Sequence, residues 1–217
     1  MDYLSTLYSR KDKPKTKYPS ILAKYLFKKY IKDSNKSFLE TGCGRGDLLE
    51  EFRKLNLNVI GTDLLESAGK DYPLLTVFQN NIEKDSLPFR TESIDIIFSK
   101  SFVEHLYNPK LFFDEAYRVL KKEGMLITLT PDWEVQTKKF YDDWTHKTPF
   151  SKETMKNLYK VSNFKELEIS YFKQLPWLWE NKFLFFLSNI VSPFIREREK
   201  TNLRWVRERQ ILGIGIK

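Results

Sequence analysis

Glu40-Thr41-Gly42-Cys43-Gly44-Arg45-Gly46 is the stretch on which the interpretation of the fold depends. It follows a short apolar segment at 37–40 and precedes a helical pattern that starts at Asp47. Glycines at every second position let the backbone turn sharply and let a ligand approach it closely. Because the following helix offers free N–H groups at its start, this order of strand, turn and helix predicts a nucleotide-binding βα unit.

The next predicted strand, at 58–63, ends in an acid. Asp63 lies 21 residues after Gly42, and a carboxylate at the end of the second strand of such a unit can accept both hydroxyls of a ribose. We therefore expect the Asp63 carboxylate to face the glycine turn. The alternative is that Asp63 caps a helix and that the glycines form a plain tight turn.

The spacing of the glycines helps to select the nucleotide. A dinucleotide fingerprint, G-x-G-x-x-G, has its third glycine where this chain has Asp47. An acid at that helix start would repel a pyrophosphate, whereas it would tolerate a zwitterionic or cationic ligand. Glu40, just before the turn, could meet an ammonium or sulfonium group. Together these residues favour S-adenosyl-L-methionine over NAD as the cofactor.

Strands and helices alternate along most of the chain, and this order predicts an α/β fold with a parallel sheet covered on both faces. The predicted strands are at 37–40, 58–63, 74–78, 94–99, 125–129, 166–172 and 206–216. The predicted helices are at 20–32, from 47 onward, at 110–122 with Gly124 as C-cap, and at 151–162 with Ser151 as N-cap. We expect a single domain over residues 1–217.

Two segments depart from this alternation. Residues 1–18 are polar and basic, and we expect a loose N-terminal arm there. Residues 173–204 form an insertion rich in aromatic side chains. The charged residues near its end are Arg196, Arg198, Lys200, Arg204, Arg207 and Arg209, interleaved with Glu197, Glu199 and Glu208. Either the insertion is a helical lid or dimer contact, or residues 175–209 bind a membrane surface.

The composition excludes several classes of protein. The chain has 217 residues, of which 41% are hydrophobic and 30% charged, so it is neither disordered nor fibrous. One cysteine and two histidines, His105 and His146, argue against a disulfide, a cysteine-based zinc site and a histidine-rich metal site, and we expect no metal. The net charge of +8 suits an anionic partner.

Neither the N-terminal segment nor the longest apolar run predicts a membrane-spanning protein. No secretory signal is recognisable at the start, and the apolar run at 183–191 is shorter than the ~20 residues of a transmembrane helix. We therefore expect a soluble, cytoplasmic protein, with peripheral binding to the inner face of the membrane left open.

The ordered motifs resemble the class I S-adenosylmethionine-dependent methyltransferases over about residues 20–172. Glu40–Gly46 looks like the family's first motif, whose backbone holds the methionine part of the cofactor. Asp63 matches the ribose-binding acid, and Leu64 matches the residue beside the adenine. The resemblance implies a Rossmann-like methyltransferase fold, doubly wound, with a mostly parallel seven-stranded sheet, helices on both faces and the last strand antiparallel.

Later motifs extend the resemblance. Asn81 and Ile82 look like the third motif, where an Asp usually receives the adenine amino group; the amide oxygen of Asn81 can still accept that hydrogen bond. The segment at 94–99 resembles the fourth motif, with Ser99 near the methionine amine. Glu104-His105 and Arg118-Val119-Leu120-Lys121 complete the pattern of the small-molecule branch.

Two observations disfavour a nucleic-acid substrate despite the charge. Enzymes that methylate exocyclic base amines carry Asn/Asp-Pro-Pro-aromatic after the fourth strand, where this chain has Ser99-Lys100-Ser101-Phe102. Methylation of cytosine C5 needs a cysteine nucleophile, and Cys43 lies in the glycine turn, where we expect it to be a packing residue. A basic RNA-binding methyltransferase is kept as a third alternative.

The loop after the fifth strand should overhang the ligand edge of the sheet. Its segment Asp143-Trp144-Thr145-His146, with Pro149-Phe150-Ser151 before a helix, resembles bacterial methyltransferases of cell-surface polysaccharide and lipid-linked sugar synthesis. Histidine suits the removal of a hydroxyl proton, so His146 is the first candidate base and His105 the second. Alternatively, His146 only holds the loop, and His105 is a core or capping residue.

The sequence therefore predicts a methyltransferase that uses S-adenosyl-L-methionine. Its acceptor would be small or lipid-linked, with a hydroxyl of a sugar-like group as the methylated position. One alternative is a methyltransferase for a membrane quinone or similar lipid. The alternative from another class is a binding module for S-adenosyl-L-methionine that does not catalyse transfer.

Overall fold

The computed structural model describes residues 10–11, 13–195 and 204–217, and Arg204 only in its backbone. The strands are β1 (Ser37–Thr41), β2 (Asn58–Asp63), β3 (Val77–Gln79), β4 (Ile94–Lys100), β5 (Leu120–Pro131), β6 (Lys165–Lys173) and β7 (Arg209–Ile216). The α-helices are α1 (Tyr18–Leu26), α2 (Asp47–Arg53), α3 (Pro109–Val119), α4 (Trp133–Phe140), α5 (Lys152–Val161), α6 (Lys182–Val191) and α7 (Arg204–Arg207). A π-helical turn, Phe27–Ile31, continues α1, and 3₁₀ turns lie at Val103–His105, Pro176–Leu178 and Ser192–Phe194.

All seven strands form one sheet in the order β3-β2-β1-β4-β5-β7-β6. Neighbours from β3 to β5 are parallel, and β7 runs antiparallel to both β5 and β6. Two hydrophobic clusters lie on opposite faces of the sheet, one including residues of α1 and α2 and the other residues of α3 and α5. The predicted doubly wound, mostly parallel fold with an antiparallel last strand is confirmed.

The strand order reverses between β1 and β4. From β1 the chain proceeds outward to β2 and β3, and then returns to place β4 on the other side of β1. In open α/β sheets the crevice outside the carboxyl ends of the strands at such a switch point is where ligands bind. The glycine turn that follows β1 and the residues that follow β4 are therefore brought to the same crevice.

The last strand fits the sheet because two glycines make room for a buried tyrosine. A Cβ on Gly213 or Gly215 would lie 2.6 Å from the ring of Tyr159, which is fully buried on α5. The Tyr159 hydroxyl lies 3.0 Å from the Gly213 carbonyl oxygen and 3.1 Å from Thr128 Oγ1. This contact joins α5 to β5 and β7.

Several predicted boundaries were wrong, including the start of the fifth strand, which is Leu120 instead of Met125. Helix α3 ends at Val119, because Leu120 is already extended (φ −64°, ψ 136°) and pairs with Ile94 of β4. Gly124 is therefore inside β5 and is not a helix C-cap. The third strand starts at Val77 instead of Leu74, and the last starts at Arg209, after a short helix that includes Val206.

The described part of the insertion is helical, and Trp179 makes one of its contacts with the rest of the fold. The Trp179 ring stacks on Phe172 of β6 at 5.0 Å and lies 4.8 Å from the ring of Tyr25 of α1. Its indole N–H donates to the Lys173 carbonyl oxygen at 2.6 Å. The predicted basic and acidic residues Arg196, Glu197, Arg198, Glu199 and Lys200 lie outside the described residues, as do residues 1–9 and 12 of the arm.

Within the described segments, no helix has both the length and the apolar character needed to cross a bilayer. The longest, α3, has 11 residues.

We expect Tyr159→Phe to lower the free energy of unfolding by about 1–2 kcal/mol. The change keeps the ring but leaves the buried Gly213 carbonyl and Thr128 hydroxyl without that partner. Urea denaturation followed by tryptophan fluorescence measures it. Tyr107→Phe, at an exposed tyrosine, is the control and should change stability little. Equal stability of the two variants would contradict the assigned packing role.

Candidate functional site

The glycine turn after β1 has a backbone that only glycine adopts readily. Gly42, Gly44 and Gly46 have φ angles of 66°, 50° and 81°. The N–H groups of Gly42 and Cys43 donate to the Thr62 carbonyl oxygen at 2.8 and 3.1 Å. A Cβ on Gly42 would lie 2.4 Å from a ring carbon of Phe102. The turn is thus held against the end of β2 on one side and the segment after β4 on the other.

The Asp63 carboxylate faces this turn, as the sequence predicts. Its Oδ2 accepts a hydrogen bond from Gly44 N at 2.8 Å, and its Oδ1 accepts one from Leu65 N at 3.0 Å. Each carboxylate oxygen has a second lone pair, and Asp63 is only partly buried. A partly exposed carboxylate at this position is suited to accept the hydroxyls of a ribose. Leu64, next to it, is 57% exposed, which leaves its side chain available to a flat apolar group such as adenine.

Glu40 is a buried carboxylate with one oxygen unused. Among the described residues no group hydrogen-bonds its Oε2, while a hydrogen bond from Leu49 N–H reaches the carboxylate at the start of α2. Burial raises the pKa of Glu40 well above its usual value, and the negative charges of Asp47 and Asp63 add to this effect. A cationic donor beside Oε2 would satisfy it, which fits the expected ammonium or sulfonium.

The charge of Asp47 is balanced, which changes one step of the sequence argument. Its carboxylate is 2.7 Å from guanidinium nitrogens of both Arg10 and Arg45, and the Tyr72 hydroxyl donates to it at 2.7 Å. Burial opposes ionisation, but the Arg10 and Tyr72 hydrogen bonds lower the pKa of Asp47 overall. Repulsion of a pyrophosphate by Asp47 is therefore weaker than the bare sequence indicates.

Ser99 is not on the same face of the sheet as Glu40. The register pairs Thr41 with Ser99 and Glu40 with Phe98, so Ser99 projects from the face of Leu39 and Ile97. It is 1% exposed, and its Oγ lacks a hydrogen-bond partner in the part of the chain that the structure describes. The predicted proximity of Ser99 to a methionine amine stays a prediction.

The third motif lies beyond the end of β3. Asn81 Oδ1 accepts a hydrogen bond from Glu83 N at 3.1 Å, and the Asn81 carbonyl accepts from the N–H groups of Lys84 and Asp85. Ile82 is buried in the cluster that includes α3. Asn81 therefore shapes its own turn, and a contact of Asn81 or Ile82 with adenine stays a prediction.

The two histidines, 41 positions apart in sequence, meet in space. The centroids of the His105 and His146 rings are 4.8 Å apart. His146 Nδ1 donates to the Phe140 carbonyl oxygen at 2.6 Å, which places the proton on Nδ1 because a carbonyl only accepts. His105 Nδ1 is 2.9 Å from Thr145 Oγ1, which itself donates to Asp143 Oδ1 at 2.6 Å. In this arrangement Nε2 of both rings carries the lone pair.

Glu104 completes this cluster, although the sequence alone gives no role for its side chain. It is fully buried, its Oε2 accepts from Thr130 Oγ1 at 2.9 Å, and no described group hydrogen-bonds its Oε1. Burial raises the pKa of Glu104 to about 7, partly offset by backbone and Thr130 hydrogen bonds and the Lys100 charge. Its backbone carbonyl accepts from Lys147 N and Thr148 N, which ties the 143–148 loop to the end of β4.

Lys100, for which the sequence predicts no role, is close enough to both Glu40 and Glu104 to interact with their charges. Burial lowers the pKa of Lys100, while the charges of Glu104 and Glu40 act in the opposite direction. Glu40 belongs to the glycine turn and Glu104 to the histidine cluster. The candidate cofactor cradle and the candidate acceptor site are therefore neighbours at the carboxyl edge of the sheet.

The comparisons with known proteins agree with this geometry. Residues 39–128 match the family profile described as a methyltransferase domain. A probable S-adenosylmethionine-dependent methyltransferase of Mycobacterium tuberculosis is 33% identical over 98 residues, which is 43% of this chain and 35% of that protein. A ubiquinone biosynthesis O-methyltransferase of Bartonella tribocorum is 30% identical over 109 residues, or 46% of this chain and 44% of that protein. The chain thus spans less than half the length of these relatives.

Solved structures show the same fold over the whole chain. A methyltransferase from Archaeoglobus fulgidus, described as dependent on S-adenosylmethionine, has a TM-score of 0.70 at 20% identity and covers 100% of both chains. A Haemonchus contortus phosphoethanolamine N-methyltransferase, solved with S-adenosylhomocysteine, has a TM-score of 0.65 at 16% identity and covers 100% of this chain and 59% of that one. At these identities the two structures show the fold alone. The profile match and the curated relatives support the resemblance to class I methyltransferases and S-adenosyl-L-methionine as the cofactor.

One more buried cation lies at the same edge of the sheet. Lys173, at the end of β6, is 1% exposed, and its Nζ has no hydrogen-bond partner among the residues described. Burial and, to a smaller extent, the positive charge of Arg209 together lower the pKa of Lys173 to about 8. The aromatic ring of Phe185 lies 5.7 Å from Nζ.

We expect Lys173→Met to stabilise the fold at pH 7 by about 1–2 kcal/mol, because a buried charge without a hydrogen bond is removed. In the wild type, the native Lys173 loses its proton near pH 8, whereas the unfolded chain keeps it to about pH 10.4. The free energy of unfolding of the wild type should therefore increase as the pH rises between those two values, because Lys173 is deprotonated in the native state only. The variant should not show this increase.

Urea denaturation at several pH values measures the difference. Lys165→Met, at an exposed lysine of the same strand, is the matched control and should follow the wild-type pH profile. A Lys173→Met variant that is less stable at pH 7 would show that the charged amine is stabilising where it lies.

Proposed function

We propose that the protein is a methyltransferase that uses S-adenosyl-L-methionine. The observation that carries the proposal is the Asp63 carboxylate, which faces the glycine turn and hydrogen-bonds Gly44 N at 2.8 Å at the switch point of the sheet. Beside that turn lies the Glu40 Oε2, which has no hydrogen-bond partner among the described residues and could accept from a cationic ligand. The family match of residues 39–128 covers both groups.

The chain offers distinct groups to each part of the cofactor. Asp63 would accept the ribose hydroxyls, Leu64 would lie against the adenine, and Glu40 with the turn at 42–46 would hold the methionine part. Asn81, Ile82 and Ser99 are the further contacts that the family resemblance implies. When bound, the cofactor supplies an electrophilic methyl carbon on a sulfonium, and it leaves as a neutral thioether.

For the acceptor we propose a hydroxyl of a sugar-like molecule, small or lipid-linked. The hydroxyl proton must be removed as its oxygen attacks, and a neutral imidazole suits this step. His146 is the first candidate base, since its Nδ1–H is held by the Phe140 carbonyl and Nε2 carries the lone pair. His105 is the second: burial and the neighbouring His146 lower the pKa of His105, which favours its neutral form.

A membrane quinone or similar lipid is the alternative acceptor. Relatives in Bartonella tribocorum and Cereibacter sphaeroides are named as ubiquinone biosynthesis O-methyltransferases. Near Trp177 and Trp179, α1 and the insertion form an open pocket of about 350 Å³ that two lysines, Lys24 and Lys28, also line. Phe183 and Phe186 are exposed, so these aromatic residues do not line a closed apolar tunnel of the kind a quinone tail would fill.

A binding module without catalysis is the alternative from another class. The cluster of Glu104, His105 and His146 favours an enzyme. These groups converge beside the cofactor cradle, and they carry acceptor atoms that are not used in holding the fold together. Binding of S-adenosyl-L-methionine without turnover of any acceptor would favour the module. For a basic RNA-binding methyltransferase, affinity for RNA should fall steeply with salt, and a flat dependence removes that alternative.

We expect Asp63→Ala to weaken the binding of S-adenosylhomocysteine by about 1–3 kcal/mol, which is about 5–150-fold in Kd, because charged hydrogen bonds to the ribose are lost. Isothermal titration calorimetry measures it. Asp63→Asn keeps one side-chain oxygen, which can still accept from a backbone N–H or a ribose hydroxyl. This variant should bind S-adenosylhomocysteine with intermediate affinity. Asp33→Ala, at an exposed acid, is the control. Wild-type affinity in Asp63→Ala would refute the role of Asp63.

We further propose that helix α6 contacts a membrane surface. Phe183, Phe186 and Ile190 lie on one face of the helix at positions i, i+3 and i+7 and are 66%, 60% and 51% exposed. Phe194, just beyond the helix, is 84% exposed. Lys182 begins the helix, and the chain as a whole carries a net charge of +8. Such a face would enter the interface of an anionic bilayer.

We expect the protein to float with vesicles rich in phosphatidylglycerol, and the double variant Phe183→Ser/Phe186→Ser to remain in the soluble fraction. Leu74→Ser removes an apolar side chain that is 71% exposed elsewhere on the surface, and this control should float like the wild type. Equal flotation of all three proteins, or flotation of none, would contradict membrane contact through α6.

A further inference from the structure

We propose that Glu104, His105 and His146 bind a divalent transition-metal ion. Each of the three side chains offers one ligand atom, and these atoms all lie within 4.8 Å of one another. Two imidazoles and one carboxylate form the ligand set of many zinc enzymes that keep an open coordination position. The binding site itself stands on this geometry, while its part in the reaction rests on the proposed function.

The separation of the ligand atoms is close to what one ion requires. Ligands at ~2.1 Å from a tetrahedral ion are ~3.4 Å apart, so small side-chain rotations close the cluster onto a metal. The His105 and His146 rings are inclined at 60° with centroids 4.8 Å apart. This edge-on arrangement is compatible with both rings directing a nitrogen to a common point.

Both histidines already have the outer hydrogen bonds that metal ligands usually have. A ligating imidazole commonly donates its other N–H to a carbonyl or carboxylate, which fixes the tautomer and the ring orientation. His146 Nδ1 donates to the Phe140 carbonyl at 2.6 Å. His105 Nδ1 is held by Thr145 Oγ1, and Thr145 in turn donates to Asp143. Nε2 of each ring is thereby left as the donor for a cation.

Glu104 supplies an independent observation that a cation belongs here. Its side chain is fully buried, and no described residue hydrogen-bonds its Oε1. Leaving a buried carboxylate oxygen without a partner is costly. Thr130 fixes the carboxylate through Oε2 and leaves Oε1 available. A metal ion would satisfy the oxygen that the surrounding side chains do not.

The charges around the cluster permit a divalent ion. Glu104 and Asp143 contribute negative charge, while Lys100 and Lys147 oppose it. The two imidazoles and the single ligating carboxylate favour Zn²⁺, Co²⁺ or Mn²⁺ over Mg²⁺ or Ca²⁺, which prefer oxygen ligands.

A metal would change how the acceptor hydroxyl is activated. An ion held by these three residues would lower the pKa of an acceptor hydroxyl at its open coordination position, so that the hydroxyl proton could pass to water. His105 and His146 would then be ligands, and no histidine would need to act as the base. The sequence argued against metal because two histidines are few, but the fold brings both to one carboxylate.

The test is titration of the untagged, chelator-treated full chain with Co²⁺ alone, followed by visible absorption, and with Zn²⁺ in competition. We expect one equivalent of Co²⁺ to produce ligand-field bands that Zn²⁺ abolishes. His146→Ala and Glu104→Gln should weaken Co²⁺ binding at least about 10-fold, because each removes or neutralises a ligand. Glu123→Gln, at an exposed glutamate, is the matched control and should bind like the wild type.

Circular dichroism establishes that each variant is folded, and calorimetry with S-adenosylhomocysteine in the presence of chelator tests the cofactor cradle separately. Absence of saturable Co²⁺ binding, or binding that neither cluster variant weakens, would overturn the metal site. If that happens while S-adenosylhomocysteine still binds, the proposed function stands and the histidines return to the role of base. Metal binding without any cofactor binding would support the site and refute the methyltransferase.

Discussion

The hydrogen bond from Gly44 N–H to the Asp63 carboxylate is the interaction on which the account depends. It joins the turn after β1 to the end of β2, and the bonds from Gly42 and Cys43 to the Thr62 carbonyl hold the same two segments. Because the turn needs positive φ angles and Phe102 occupies the space beside Gly42, its shape is maintained before any ligand arrives. A preorganised cradle loses less conformational entropy on binding.

The cofactor half of the site could be predicted from the sequence because it is local. It consists of one βαβ unit: a strand, a glycine turn, a helix and a second strand that ends in an acid 21 residues after Gly42. Elements so close in sequence have a relative geometry that the local pattern predicts. Alternation of strands and helices likewise predicted the parallel part of the sheet, while the antiparallel last strand was expected only from the family resemblance. The errors are at element boundaries. Helix α3 ends at Val119 because Leu120 pairs with β4. Helix periodicity in the sequence gives no information about such a contact between distant segments.

The acceptor half could not be predicted to the same degree, because it is assembled by tertiary contacts. His105 and His146 were both candidates, but the two rings meet through tertiary hydrogen bonds, among them those from Lys147 and Thr148 to the Glu104 carbonyl. Glu104 was a motif residue without a role until its burial and unpartnered oxygen were visible. Asp47 shows the same limit: its ion pair with Arg10 spans 37 positions and weakens the repulsion of a pyrophosphate that the local sequence predicts.

The most direct test of the central claim is a crystal structure of the chain with S-adenosylhomocysteine. We expect both ribose hydroxyls within about 2.5–3.0 Å of the Asp63 carboxylate, with the amino-acid part of the ligand along the turn at 42–46 and its amine near Glu40. A ligand bound away from that crevice, or ribose hydroxyls that do not reach Asp63, would contradict it.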